Sequence, residues 1–171
     1  LPFQKKTNKS YKTLVPKISF RASPHDMKSH GNADRMINAN NIYNIDRLSL
    51  GDSFESGESI TLGVDFKNQK VINSNIDEIE DYLDFKLATV FKFEDEEKIP
   101  SKSTLNRKRS NFFGQATYKP SDIFLLNYDF SITDDLNKFE YNSIDTNFNL
   151  NKFSHKFTFL QEKGAIGNSN I

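Results

Sequence analysis

Seven stretches of this chain alternate apolar and polar residues with a period of two, and each runs for ten residues or slightly more. They are Lys12–Ser23, Glu58–Asn68, Tyr82–Glu94, Ser110–Lys119, Asp122–Ile132, Phe139–Leu150 and Phe153–Glu162. Strict alternation puts every second side chain on the same side of an extended backbone, so each stretch predicts a strand with one dry and one wet face. Strands of soluble proteins commonly have about five or six residues, whereas a tilted strand crossing a bilayer needs about 9–11. Length and period together favour strands that span a membrane.

The faces can be written out. In the third stretch Leu83, Phe85, Leu87, Thr89, Phe91 and Phe93 share one side, opposite Tyr82, Asp84, Lys86, Ala88, Val90 and Lys92. In the fifth, Phe124, Leu126, Tyr128 and Phe130 oppose Ile123, Leu125, Asn127 and Asp129, and in the sixth Ile144, Thr146, Phe148 and Leu150 oppose Ser143, Asp145, Asn147 and Asn149. A packed interior would not accept the charges and amides of the second face without partners. Composition agrees: hydrophobic residues make up only 36 %, yet there are 16 Phe and 6 Tyr, and a disordered chain should be short of aromatics.

The connections alternate too. More than thirty residues, rich in Asn, Asp, Ser and Gly, separate the first two strands, and a charged link runs from Asp95 to Arg109. The connections that follow are shorter: Lys119-Pro120-Ser121, the moderate link Thr133 to Lys138, and Asn151 with Lys152. Long links on one side and tight turns on the other are the rhythm of an outer-membrane barrel. The link Gln69 to Asp81 is too long for a tight turn; its "NIDEIEDYL" forms a helical turn, or the second strand runs further. The reading is therefore an all-β, antiparallel up-and-down transmembrane β-barrel segment: residues 1–171 as a partial barrel domain of about seven strands, with a long external loop at about 24–57. Barrels of bacterial single chains have even strand counts, so a larger barrel is expected. A soluble β-sandwich alternates as well, and stays open as the rival fold.

Little in the chain suggests covalent chemistry. With 23 basic and 23 acidic residues, net charge is zero, so no nucleic-acid footprint appears. The lack of cysteine excludes disulfides and thiolate metal sites within these residues. No secretory leader is visible at Leu1, and no eighteen-residue apolar run predicts a membrane helix. His25 and His30 are five apart in "SPHDMKSHGN", not the four of a helical zinc motif. Ser154 and His155 are adjacent on a strand and point to opposite faces, while "GDSFESG" lacks the nucleophile elbow. Glu78 with Glu80 and Asp95 with Glu97 read as solvated loop carboxylates. No catalytic, cofactor-binding or metal site is expected. The basic run Lys102, Arg107, Lys108 and Arg109 lies in a predicted external loop, where it can meet lipopolysaccharide phosphates or serve as ordinary loop charge.

The segment "NIYNIDRLSLGDSFESGESITLGVDFK" carries a more specific signal. Asn41, Ile42, Tyr43, Ile45, Asp46, Arg47, Leu48, Ser49, Asp52, Glu55, Gly57 and Gly63 resemble a loop-and-strand signature of the LptD family, the outer-membrane proteins of lipopolysaccharide assembly. Gly51 is displaced by one from the family's glycine, and Ser53 stands where a second arginine is common. Upstream, "LPFQKKTNKSYKTLVPKISFRASP" is similar to a family strand through Pro16, Lys17, Arg21 and Pro24. Downstream, "SNFFGQATYKPSDIFLLNYDFSITDDLNKFEYNSIDTNFNL" is similar to later family hairpins, closest to alphaproteobacterial members.

That resemblance implies a fragment of a large barrel in the outer membrane of a Gram-negative bacterium, without the family's periplasmic jellyroll and without its first and last strands. It implies a translocon that inserts lipopolysaccharide into the outer leaflet. Its implied partners are lipopolysaccharide, outer-membrane lipid, a plug lipoprotein (LptE-like) and a periplasmic bridge protein (LptA-like). The signature residues Asn41, Asp46, Arg47, Asp52, Glu55, Gly57 and Gly63 then play a structural part, in which Arg47, bonded to Asp52 or Glu55, holds the loop over the lumen. A porin, or a siderophore-type transporter, would share the alternation but not this loop.

Overall fold

The computed structural model describes residues 1–73, 78–150, 153–164 and 167–170. Nine strands form one antiparallel sheet in strict sequence order: β1 (Phe3–Lys6), β2 (Ser10–Ser23), β3 (Gly57–Asn73), β4 (Glu78–Lys92), β5 (Phe112–Ser121), β6 (Phe124–Ile132), β7 (Phe139–Leu150), β8 (Phe153–Gly164) and β9 (Gly167–Asn170). This is the up-and-down arrangement of a barrel wall. The seven expected strands are β2 to β8, and the short β1 and β9 add to each side.

Register carries the alternation from strand to strand. Phe20 lies opposite Ile60, which lies opposite Phe91; Ile18, Leu62 and Thr89 form the next row. Further along the sheet, Tyr128 pairs with Ile144 and Ile144 with Phe159. Because the side-chain period is two, these pairings gather the large apolar residues of β2 to β8 onto one outer face. That face is bare: Ile18 is 75 % exposed and Phe20 62 %, and Phe157 and Phe153 are exposed as well. On it the Phe130 ring covers Gly114, whose missing Cβ leaves the space that the ring fills.

Two local readings change, and one alternative left open is decided in favour of the longer strand. The β5–β6 turn is Asp122–Ile123, and Pro120 sits inside β5, where the pairing is irregular between Tyr118 and Ser121. β3 runs on to Asn73 and β4 begins at Glu78, so "EIEDYL" is strand rather than helical turn; residues 74–77, like the corner 151–152, lie outside the described residues. Where β3 meets β4, Leu83 pairs with Asn68 and Asp81 with Gln69, which leaves Tyr82 as an extra residue. This bulge turns Tyr82 to the outer face, its ring edge-on to Tyr118 at 5.2 Å and its hydroxyl 3.2 Å from that of Tyr118. Lys70 lies over the same ring at 4.4 Å. Tyrosines and a lysine stem at the turn end suit the aromatic girdle of a bilayer interface.

The inner face is not uniformly wet. The loops at 24–56 and 93–111 fold across its upper part and enclose a small apolar core of Met27, Ile37, Ile42, Leu48, Ile99 and Leu105 against Ala88, Val90 and Phe113 of β4 and β5. Below them the face is polar. Among the described residues, β1 pairs only with Tyr11–Leu14 of β2 and β9 only with Gln161–Gly164 of β8, so both flanks of the sheet keep unpaired backbone. Pro16, which has no N–H to offer, falls on such a flank of β2.

Candidate functional site at the folded loops

The signature segment forms the part of the first loop that touches the sheet. Asn38 and Asn41 exchange bonds between side chain and backbone at 2.8 and 3.0 Å, and the Ile42 N–H donates to the Asn38 carbonyl. The Asp46 carboxylate accepts from the Ser49 N–H at 2.9 Å and closes a turn in which Ser49 has φ +48°. Gly51 at φ +79° and Gly57 at φ +84° supply the left-handed corners that return the chain to β3. From β2, the Arg21 guanidinium donates to the Asn44 and Ile45 carbonyls and pins this turn to the wall.

Arg47 lies at the centre, 2 % exposed. Its Nε donates to Glu55 Oε2 and its Nη2 to Glu55 Oε1, both at 2.7 Å, a fork on a carboxylate. The remaining hydrogens reach the Ile42 carbonyl and Thr61 Oγ1 at 3.2 Å and Ser59 Oγ at 3.3 Å. Ser59 and Thr61 stand on the inner face of β3, so one guanidinium joins the loop to the barrel wall. Lys92, at the end of β4, donates to Glu55 Oε1 at 3.2 Å and to the Ser56 carbonyl at 2.9 Å. Burial alone would raise the Glu55 carboxyl; bonds and charge from Arg47, with the charges of Lys92 and Arg21, overcome it and hold the group below its ordinary value.

Gly63 has a second role in the seat. It lies on the inner face of β3, where the Tyr43 hydroxyl approaches so closely that a Cβ would collide with it, and also with the Leu87 carbonyl oxygen at 2.7 Å. The hydroxyl is buried without a hydrogen-bond partner, while Lys17 lies 5.2 Å from the ring centroid.

Of the two carboxylates considered for Arg47, Glu55 makes the contact. Asp52 lies away from Arg47, accepting from Lys28 at 3.0 Å and bonded to His30 at 2.9 Å. The basic run is also divided. Lys102 pairs with Asp34 of the first loop and with Glu162 of β8, both at 2.9 Å, and Arg107 donates to Asn111 at 2.8 Å. Lys108 and Arg109 remain exposed. The two loops are one body: the His30 N–H donates to the Lys98 carbonyl and the Ser101 N–H to that of Gly31, while Lys98 pairs with Asp26.

His30 does not link Ser53 to Asp52 as a triad would: it meets both through the same Nε2, so it cannot relay a proton from serine to aspartate. His155 stacks on Phe153 on the outer face, and His25 is exposed. Among the described residues no cluster of His, Asp and Glu is arranged to hold a metal ion. Sequence reasoning named Tyr43 and Arg21 only within the family resemblance, with no part in the loop's seat, and missed Lys92, Ser59 and Thr61 as members of the site. Lys92 was visible only as the last charge on a wet face.

Comparison with known proteins adds identity to this geometry. The model of the family described as LptD, LPS transport system D, matches residues 1–167, nearly the whole chain, and the chain belongs to that family. No curated protein matches it.

Proposed function

We propose that this member of the LptD family is part of the wall of an outer-membrane translocon that delivers lipopolysaccharide to the outer leaflet without covalent chemistry. The observation that carries this is the two-sidedness of the sheet. One register gathers exposed Ile18, Phe20, Leu62, Phe91, Phe148 and Phe157 outside, and leaves Asp65, Gln115, Thr117, Asn127, Asp145 and Asn147 inside. The outer face offers apolar surface to lipid tails, and the inner face offers water and hydrogen bonds to a sugar head group. The unpaired flanks of β2 and β8 need further strands in hydrocarbon, where an open edge is not tolerated.

In this reading the loops occlude one mouth of the lumen, and the Arg47–Glu55–Lys92 cluster with Gly63 holds them there. Asn41, Asp46 and Gly57 shape the loop, and Asp52 ties its tip to Lys28 and His30. Exposed Lys108 and Arg109 face the phosphates of the outer leaflet, with Lys102 and Arg107 bracing them from within. A plug lipoprotein and a periplasmic bridge protein are the expected partners.

The test is photo-crosslinking in the full-length protein within its native membrane. A photoreactive residue replacing Asn147, on the inner face, forms adducts with lipopolysaccharide in transit. Its neighbour Phe148, on the outer face at the turn end, forms them with phospholipid. Equal lipopolysaccharide adducts at both positions, or none at Asn147 in an assembled protein, overturn the proposal.

A further inference from the structure

One cavity stands apart from the loop clamp. It has a volume of about 290 Å³ and lies between the first loop, at Met36–Asn40, and the inner wall of β5, β6 and β7. That size is near the lower end of the range for small-ligand sites, roughly 300–1,000 Å³. Its wall is one register patch: Gln115 opposite Asp129, Phe113 opposite Ser131, and Ser131 opposite Tyr141. Asn38 and Asn40 close it from the loop side.

The lining chemistry selects among the parts of a glycolipid. None of the lining residues is cationic, so a phosphate group would find no charged partner there, and its charge would oppose that of an ionised Asp129. Lys86, the cation nearest in the register, is bonded to Asn40 at 2.8 Å. An acyl chain would strand the amides of Asn38 and Gln115 and the Asp129 carboxylate in contact with hydrocarbon. An uncharged sugar ring fits both requirements. Its hydroxyls can donate to the carboxylate and exchange bonds with the amides, while its C–H face meets the rings of Tyr141 and Phe113.

We propose that this cavity is a saccharide subsite, which holds a neutral sugar of the substrate's glycan beneath the loop. The proposal rests on the transport reading above, and its test separates the two. A photoreactive residue is placed at Gln115, and in a second strain at Asn147, in the full-length protein of cells that make either complete or sugar-truncated lipopolysaccharide. At Gln115 the adduct falls at least fivefold with truncated substrate, while at Asn147 it does not change. Equal adducts at Gln115 from both substrates overturn the subsite and leave transport standing. Absence of adducts at both positions overturns both. A probe at Tyr141, on β7 of the same wall, makes the same comparison if the Gln115 variant fails to assemble.

Discussion

Removing Glu55, Arg47 and Lys92 one at a time should damage the loop clamp in a fixed order, because the site holds two cations and one anion out of water. Glu55→Ala leaves Arg47 and Lys92 without their shared counter-ion and with Arg21 close by, Lys92 keeping only the weaker pull of Glu96. Breaking a buried pair in this way costs about 3–5 kcal/mol. At about 1.4 kcal/mol per factor of ten, docked loops lose roughly a hundred- to a few thousand-fold against undocked ones. Arg47→Ala leaves Glu55 still neutralised by Lys92, but deprives the Ile42 carbonyl and the Ser59 and Thr61 hydroxyls of a donor, an intermediate loss of about 2–3 kcal/mol. Lys92→Met keeps the bidentate fork and removes the surplus charge, which offsets the donor lost to the Ser56 carbonyl, so it should cost only about 1 kcal/mol. The readouts are entry of a large antibiotic normally excluded by the outer membrane, and protease cutting within residues 24–56 on intact cells. Both should rank Glu55 above Arg47 above Lys92. A Lys92→Met variant as leaky as Glu55→Ala would refute the charge-count argument.

The same carboxylate sets a pH response. Its folded pKa lies below the unfolded value, so its contribution is complete above the ordinary glutamate range and is lost as pH falls through the depressed value. Protease cutting of the loop should therefore rise only in acid below that range, and Glu55→Gln should flatten the rise. Gly114→Ala should impair barrel folding because Phe130 occupies the missing Cβ, and Phe130→Ala should restore it; heat-modifiable gel migration checks both. Tyr43→Phe, which deletes a buried hydroxyl without a partner, should leave loop protection unchanged or improve it. Gly63→Ala should abolish that protection even beside Tyr43→Phe, since the Leu87 carbonyl still blocks a Cβ. Replacing Lys108 and Arg109 together by alanine should leave folding intact and raise sensitivity to cationic peptides modestly, as measured by growth inhibition.

The wall was legible in the sequence because period-two alternation needs no partner to be read. Leu83, Phe85 and Leu87 declare their common side from β4 alone, and register then only propagates it. Local exceptions were harder: the Tyr82 bulge depends on how β3 and β4 pair past Asn68, which no single strand reveals. Pro120 suggested a corner, yet at the irregular end of β5 it needs no ladder donor, and the turn slips two residues on.

The loop's seat was illegible for a different reason. Arg47 and a nearby acid could be named, but choosing Glu55 over Asp52 requires the path of the chain between them, which Gly51 reverses. The hidden clue lay in departures from alternation. Ala88 and Val90 intrude on a face that otherwise carries Asp84, Lys86 and Lys92, and Phe113 intrudes on that of β5. Elsewhere on the inner face Val15 pairs with Asp65 and Leu160 with Ser143, while the apolar pair Val71–Ile79 stands at the turn end, away from the loops, with Ile79 exposed. Ala88 instead pairs directly with Phe113. Two apolar residues adjacent on a wet wall cost free energy unless something covers them, and what covers them is Ile37, Ile42, Leu48, Ile99 and Leu105 of the loops. A lumen face becomes a docking site where its exceptions meet across strands. That meeting depends on register, and register on loops whose lengths say nothing about where they land.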